Sequence, residues 1–589
     1  MKHILIKSIA AAALTLGLTT GCSDELNISP IDPQSTATSN EQGLLGKMYG
    51  MLGLSGQKGP DDNGDMTNMD ASETGFYRAT FNLEELGTDE LLWAWQNDDG
   101  IPEVTTISWN SSTGRVQWAY KRLMYDITQY NYFLSDVADD EAHQGVRAEV
   151  RFLRALHYWY LLDLFHNCPF KTIYDLSTYP EYKTGAEMVK WLDAELTEIE
   201  PQMAEIGAYN SGDNYGRADR GAALLLHARL WLNAHVYDPT ISTKDAMEKA
   251  KSYADQLVGK YSLSTTEKNG YSGYQQLFMA DNDVNHDAMK EIIFPIRQDG
   301  LHTMTNSCGM YLVNSFRKAG MPDMGTTNGW SCNFSRAALV RKFFPTLDDC
   351  PLAESDTIHI VQNGVVLKGK DGKDSARTAS TADEIKYVDQ KYKATTSDII
   401  AKANDDRAMF YGGCGGGLRK RKTDKISTFT DGLSIVKWDN HRSDGKAVHN
   451  PGTDRVDVDV PLFRYAEVLM IEAEANFRLG DKGAALGYIN QLRDRAGAQE
   501  FQEADLSLET ICDEWCREFY AEGRRRSDLV RFDVFAGNSR GLNGNMYVWD
   551  WKGGAANGQI VDKHFNAYPF PETEITGNPN LKGHQNPGY

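Results

Sequence analysis

Two stretches of this chain, far apart in sequence, repeat one layout of helix, short turn and second helix. Ala218–Val236 is followed by Thr243–Val258, and Leu462–Arg478 by Lys482–Ala496. In both, apolar residues recur at helical spacing. Alanines fall where two helices must come close: Ala222, Ala223 and Ala228 in the first pair, Ala473, Ala475, Ala484 and Ala485 in the second. Leu479-Gly480-Asp481 supplies the turn of the second pair. A helix pair cannot bury its apolar face alone, so pairs of this kind stack on one another, as tetratricopeptide-like repeats do. Arg115–Ala138, Glu141–Phe165, Ala186–Ile206 and Ser507–Ala521 are further helices by the same criterion, and a short one is expected near Leu44–Gly53. The segments 46–115 and 269–460 are rich in Gly and Asp and lack this period, apart from strand-like pieces such as Glu291–Ile296. The expected fold class is therefore mostly α, with a tetratricopeptide-like helix-pair scaffold packed against a loop-rich half. Long loops on a rigid scaffold are where ligands are held.

The formal charge of −21 argues against a nucleic-acid partner, since phosphate binding needs clustered Lys and Arg. The N-terminus reads as an export signal: Lys2 and Lys7 precede an apolar stretch, Ile9 to Leu18, too short to span a bilayer. Leu18-Thr19-Thr20-Gly21-Cys22 then resembles a bacterial lipobox, which makes Cys22 the expected lipidation site. Acylation there would tether a folded protein to a membrane surface. The other seven cysteines are odd in number and irregular in spacing, so they are not a disulfide framework.

Leu91-Leu92-Trp93-Ala94-Trp95-Gln96-Asn97-Asp98 places two indoles at i and i+2 ahead of a polar run. In extended backbone those rings share one face, and with the polar residues behind them they would form a platform for a sugar. The alternative is two core tryptophans. Gly325-Thr326-Thr327-Asn328-Gly329-Trp330 puts a third indole in a Gly-rich loop. Asp281-Asn282-Asp283 and Asp457-Val458-Asp459 present oxygen ligands two residues apart in irregular backbone, as Ca²⁺ prefers, or else are solvated loop acids. Acidic pairs such as Glu84/Glu85, Asp89/Glu90 and Asp98/Asp99 raise a glycosidase as a competing class, but adjacency does not set two carboxylates across a cleft. No metalloprotease, nucleophile-elbow or phosphate-loop pattern is present. Glu518, Glu522, Arg524, Arg525, Arg526 and Asp528 alternate in sign and read as an internal ion-pair network.

Asn27-Ile28-Ser29-Pro30 after the lipobox, the helical Arg147–Ala155, Arg517–Arg525, and the ending Tyr568-Pro569-Phe570-Pro571 through Gln585–Tyr589 together resemble the SusD/RagB family of Bacteroidetes outer-membrane nutrient-binding lipoproteins. The resemblance covers essentially the whole chain and is nearest to the family's starch-binding founding member, through Gly75–Arg78, Thr88–Glu90, Leu92–Trp95, Gly320–Trp330 and Trp549–Gly554. It implies 1–21 as signal peptide and 22–45 as tether. It also implies 46–268 and 269–589 as the two parts of one interleaved globular unit. It further implies a non-catalytic protein that binds starch or malto-oligosaccharides at the cell surface and serves a TonB-dependent outer-membrane transporter. By local motif the aromatic arc falls on Trp93, Trp95 and Trp330, and the polar contacts on Asp70, Arg78 and Asp98, with Asn97 beside the last. The family's mobile-loop tyrosine position falls on Asn306, with Tyr311 five residues on. A structural Ca²⁺ is implied at Asp283, Asp457 and Asp459. The rival readings are another glycan on the same fold, or a surface lipoprotein hydrolase.

Overall fold

The computed structural model describes residues 40–56, 64–67, 69–318, 320–327, 329–352, 361–362, 365–366, 394–414 and 417–589. Cys22, the signal stretch and most of the tether lie outside them. The elements that matter for function are the helices α1 (Glu41–Gly53), α2 (Phe76–Glu85), α3 (Gly114–Asp136), α4 (Gln144–Phe165), α5 (Gly185–Ile199), α6 (Arg220–Tyr237), α7 (Thr243–Ala254), α8 (Gly309–Phe316), α9 (Tyr465–Leu479), α10 (Lys482–Arg495), α11 (Leu508–Phe519) and α12 (Arg525–Arg531). The strands are short and paired two by two. Those used below are β1 (Leu91–Trp93), β2 (Ile292–Ile296), β3 (Asn333–Ser335) and β4 (Val460–Arg464).

The helices stack in chain order from α3 to α7, and α9 packs directly on α7, so the two helix pairs recognised in the sequence are neighbours in space. The alanines explain the close approach: Ala222, Ala223, Ala228, Ala473, Ala475 and Ala485 are fully buried, and Ala484 alone is half-buried. Local chemistry sets the helix ends. The Asp219 carboxylate accepts from Gly221 N at 2.8 Å and caps α6. Gly480 closes α9 in the left-handed region, φ 95°, and Asp481 then caps α10 by accepting from Ala484 N at 2.9 Å. Inside the stack, Arg229 of α6 holds Glu467 of α9 through two hydrogen bonds of 2.7 and 2.6 Å. The expected helix from Leu462 starts instead at Tyr465, because Val460–Arg464 pairs with Ile292–Ile296 as a strand; a proline at 461 and branched neighbours suit an edge strand better than a helix interior.

A buried set of ion pairs joins the N-terminal loops to the C-terminal helices. Arg525 grips Asp89 in a fork, 2.7 and 2.9 Å. Glu85 accepts from Gly523 N (2.6 Å) and Arg524 N (3.1 Å), Glu84 from Ser527 N (3.0 Å), and Glu90 from Ala521 N (3.0 Å). Four adjacent acids thus serve one purpose, which is to hold residues 521–527. They are buried and engaged in these contacts, unlike glycosidase carboxylates held across a cleft. Burial opposes the Asp89 carboxylate, yet Arg525 overrides it and holds the carboxyl well below its usual range. Around them Arg464 bridges Glu291, Glu518 and Glu522, Arg495 bridges Glu291 and Glu518, and Arg407 joins Asp405, Glu514 and Glu518. The network read from residues 518–528 is internal, and it is larger than its own segment. Asp89→Asn would strip a buried guanidinium of its forked partner and leave only Glu90 as an anion, at 3.7 Å, so the variant is expected to lose about 3–5 kcal/mol of unfolding free energy. Chemical denaturation checks this; a loss below about 1 kcal/mol contradicts the clamp.

Candidate glycan-binding site

β1 and β3 pair antiparallel, with Trp93 opposite Asn333, and Ala94 N donates to Cys332 O at 2.7 Å. This pairing brings the loop that carries Trp95 to the loop that carries Trp330. Trp330 N in turn donates to Asn314 O at 2.7 Å, which ties its loop to α8. The strand ends at Trp93. The chain then turns, with Gln96 Nε2 donating to Trp93 O at 2.6 Å, and Trp95 swings outward.

The two indoles are therefore not one flat platform. Trp93 is fully buried, whereas Trp95 is 37% exposed, and their rings stand at 83° with centroids 6.4 Å apart. Trp93 stacks instead on the buried Tyr311 of α8, at 5.8 Å and 20°. Tyr311 continues to the half-buried Trp330 at 6.4 Å and 40°. Given these angles, Trp95 and Trp330 cannot lie parallel, so the two solvent-facing indoles are set at an angle around a buried pair. The core reading holds for Trp93 and fails for Trp95. Tyr311 is not a loop ring at the surface: its hydroxyl donates to Asn82 Oδ1 at 2.8 Å inside the core.

Arg78 is also placed differently from its expected role. It is 3% exposed, and its guanidinium lies 4.7 Å from the Tyr311 centroid and 5.7 Å from those of Trp93 and Trp330. It donates to Ser72 O (2.8 Å), to Asn306 O (3.1 Å) and to Glu73 Oε1 (2.9 Å). Placed in this way, it fixes the rings and the 306 loop through Nη1 and Nη2, while its Nε has no hydrogen-bond partner among the described residues. Glu73 takes Arg115 with its other oxygen at 2.7 Å. Sequence reasoning missed Glu73 and Arg115. The only local signal is a pair of arginines, at 78 and 115, that need a shared anion.

The rim holds the remaining candidates. Asp70 is exposed, and its Oδ1 accepts from Ser72 N and Ser72 Oγ at 2.8 and 2.7 Å, a turn that leaves Oδ2 without a partner among the described residues. Asn97 is exposed and Asn306 half-buried. Asp98 is half-buried and accepts from Trp93 Nε1 at 3.1 Å, so part of its capacity is used internally. Burial, then repulsion from Glu73, raises its carboxyl above the usual value. The rim thus offers mostly acceptors and amides beside one exposed and one half-buried indole, which is a surface for stacking a sugar and bonding its hydroxyls. Beside the rings, Asp98 and Asp99 are the adjacent acidic pair, and Asp98 is tied to an indole.

The candidate Ca²⁺ residues come together only in part. Asn282 Nδ2 donates to Asp459 O at 2.9 Å and Asn282 Oδ1 accepts from Asp459 N at 3.1 Å, which stitches the two acidic segments side by side. Burial first, and then Asp283, push the Asp459 carboxyl well above its usual value; burial also raises Asp283. Asp459 Oδ2 is buried without an aligned partner. These two fit a cation. Asp457 acts on Asp283 as a like charge, and its own oxygens accept from Gly300 N and His449 N, both at 2.8 Å. Among the described residues no group of three or more His, Cys, Asp or Glu is placed to hold a metal ion. No described helix is long and apolar enough to cross a membrane.

Comparison with known proteins agrees with this architecture. Residues 264–589 match the model of the SusD family. The chain is 48% identical over 595 aligned residues, covering 100% of both chains, to the starch-binding protein SusD of Bacteroides thetaiotaomicron. Among solved structures, surface glycan-binding protein A from Bacteroides fluxus matches with a TM-score of 0.58 at 18% identity, covering 94% of this chain and 100% of that one. Surface glycan-binding protein A from Bacteroides thetaiotaomicron, in complex with laminarihexaose, matches at 0.55 and 16%, covering 93% and 98%. These two likenesses are of fold. With the family model matched over more than half its residues and a relative nearly half identical along its whole length, this chain belongs to the SusD family.

Proposed function

We propose that this protein binds starch-type α-1,4-glucan without cleaving it and passes malto-oligosaccharides to a TonB-dependent outer-membrane transporter, tethered to the outer membrane through a lipid on Cys22. The observation that carries the ligand is the full-length identity of 48% to a starch-binding protein. Trp95 localises it, as an exposed indole backed by a buried stack. Two faces set at an angle suit a ligand that curves, as an α-1,4-glucan coil does, and suit a flat β-1,4-glucan poorly. Asp70, Asn97, Asp98 and Asn306 supply polar groups at the rim. Trp93, Tyr311 and Arg78 act behind the surface, since loop rearrangement on binding is avoided when the rings are already fixed. The lipobox and the family resemblance support the anchor and the transporter.

Titration calorimetry with maltoheptaose tests this reading. Trp95→Ala is expected to weaken binding by about 1–3 kcal/mol, the range for stacking on an aromatic face, with unfolding stability close to wild type. Trp93→Ala is expected to cost about 3–5 kcal/mol of stability, as a buried large-to-small change. Equal affinity of wild type and Trp95→Ala, or preference for cello- or laminari-oligosaccharides over malto-oligosaccharides, would overturn the assignment.

The same reading gives Ca²⁺ a structural role at Asp283 and Asp459, where it would relieve two crowded carboxylates. Arg297 opposes this charge as well, lowering both carboxyls after burial has raised them. Chelation is expected to lower the melting temperature by a few degrees and to leave maltoheptaose affinity unchanged. An unchanged melting temperature in scanning calorimetry removes the ion from the account.

A further inference from the structure

The loop from Lys171 to Pro180 keeps large side chains in water. Ile173, Tyr174, Leu176 and Tyr179 are all exposed, Tyr174 by 41% and Tyr179 by 56%. Tyr132 near the end of α3 is exposed too, and its ring meets Tyr174 edge to face at 5.2 Å. The loop is not loose. Lys171 Nζ donates to Thr178 O and Oγ1 at 2.6 and 2.8 Å. The Asp175 carboxylate accepts from Ser177 N at 2.8 Å and from Thr178 Oγ1 at 2.5 Å. Both ends are tied down: Tyr158 and Asn131 donate to Lys171 O, each at 2.8 Å, and Asn578 and Asn580 donate to Pro180 O at 3.1 and 3.2 Å. Many hydrogen bonds are thus spent to hold apolar groups where burial cannot reward them. A rigid exposed patch of this kind marks a contact surface, and its rigidity keeps the entropy cost of binding small.

Two clefts share Thr172 and Ile173 in their walls. One, of about 660 Å³, sets Tyr174 beside Ser135, Gln144 and Gln202. The other, of about 610 Å³, sets Tyr179 beside Ser177, Thr178 and Asn580. Each combines an exposed ring with hydroxyl and amide groups that both donate and accept. That is the pairing a sugar needs, a face for its C–H side and an edge for its hydroxyls. A protein partner fits less well, because Asp139, Arg147 and Arg151 stand in the first cleft and Glu181 in the second, whereas protein interfaces shed charge from their centre.

We infer that Tyr132, Tyr174 and Tyr179 with their two clefts form a second glucan-contact surface, separate from Trp95 and Trp330. The inference rests on the starch reading for the class of ligand. Two weak sites on one rigid body raise the retention of a polymer that reaches both, through effective concentration, and add nothing for an oligosaccharide too short to do so.

Native affinity electrophoresis through amylopectin, paired with maltoheptaose calorimetry on the full chain, tests it. Tyr174→Ala/Tyr179→Ala is expected to weaken amylopectin retention about fivefold, with maltoheptaose affinity and melting temperature unchanged. In a Trp95→Ala background, the residual retention is expected to vanish with the same two substitutions. Leu176→Ser, which removes exposed apolar area outside both clefts and keeps the rings, is expected to retain the polymer as wild type does. Wild-type retention in the tyrosine double variant overturns the second surface and leaves the starch reading standing. So does an equal loss of retention in Leu176→Ser, which would put the effect in the loop's apolar area rather than in its rings. If the wild type itself passes unretarded, the starch reading falls and this inference falls with it.

Discussion

The grip of Arg525 on Asp89, inside the larger set of carboxylates at residues 84–90, is the interaction on which the rest of this structure depends. Two segments more than four hundred residues apart in sequence meet there, both side chains buried, at hydrogen bonds of 2.7 and 2.9 Å. Each charge would be prohibitively costly alone; paired and hydrogen-bonded, they become a register mark that only one docking of the two halves satisfies. β1 leaves this clamp directly, two residues after Asp89, so the position of Trp93 and Trp95 is inherited from it. The acids that look most like catalytic pairs in the sequence are therefore spent on architecture.

From the clamp outward, the site is built in layers. Trp93 and Tyr311 stack in the core, Arg78 sits over both rings and over Trp330, and Glu73 neutralises Arg78 and Arg115 together. Only then come the exposed Trp95 and the half-buried Trp330. The buried layer sets the angle between the indoles in front of it. This division also explains how a sugar site can be largely preformed although it lies on loops: the loops are held by a cation among rings and by backbone hydrogen bonds to α8.

Parts of this were legible in the sequence. The helix pairs were, because helical period, buried alanines and the Gly480-Asp481 turn all report on local physics, and so was the internal nature of the charges at 518–528. The division of labour within Trp93-Ala94-Trp95 was not. A shared face at i and i+2 assumes a strand that continues, and this strand stops at Trp93, where Gln96 turns back to bond its carbonyl. The role of Arg78 was hidden for another reason: two of its partners are the backbone carbonyls of Ser72 and Asn306, and one of these is remote in the chain. The backbone partners of Asp457, Gly300 N and His449 N, were not legible either, because Gly300 is remote in the chain. Helix onset at 462 failed because a proline and its branched neighbours, here as elsewhere, favour an edge strand when a partner strand is at hand.

The central claim is that a buried stack presets Trp95 and Trp330 as an angled pair of faces for an α-glucan. A crystal structure of the protein with maltoheptaose tests it most directly. The account predicts glucose rings packed on Trp95 and Trp330, hydroxyls bonded at the Asp70–Asn97–Asp98 rim, and Trp93, Tyr311 and Arg78 still buried in their unliganded positions. A sugar bound away from both exposed indoles, or Trp93 or Arg78 turned out to meet it, would contradict the account.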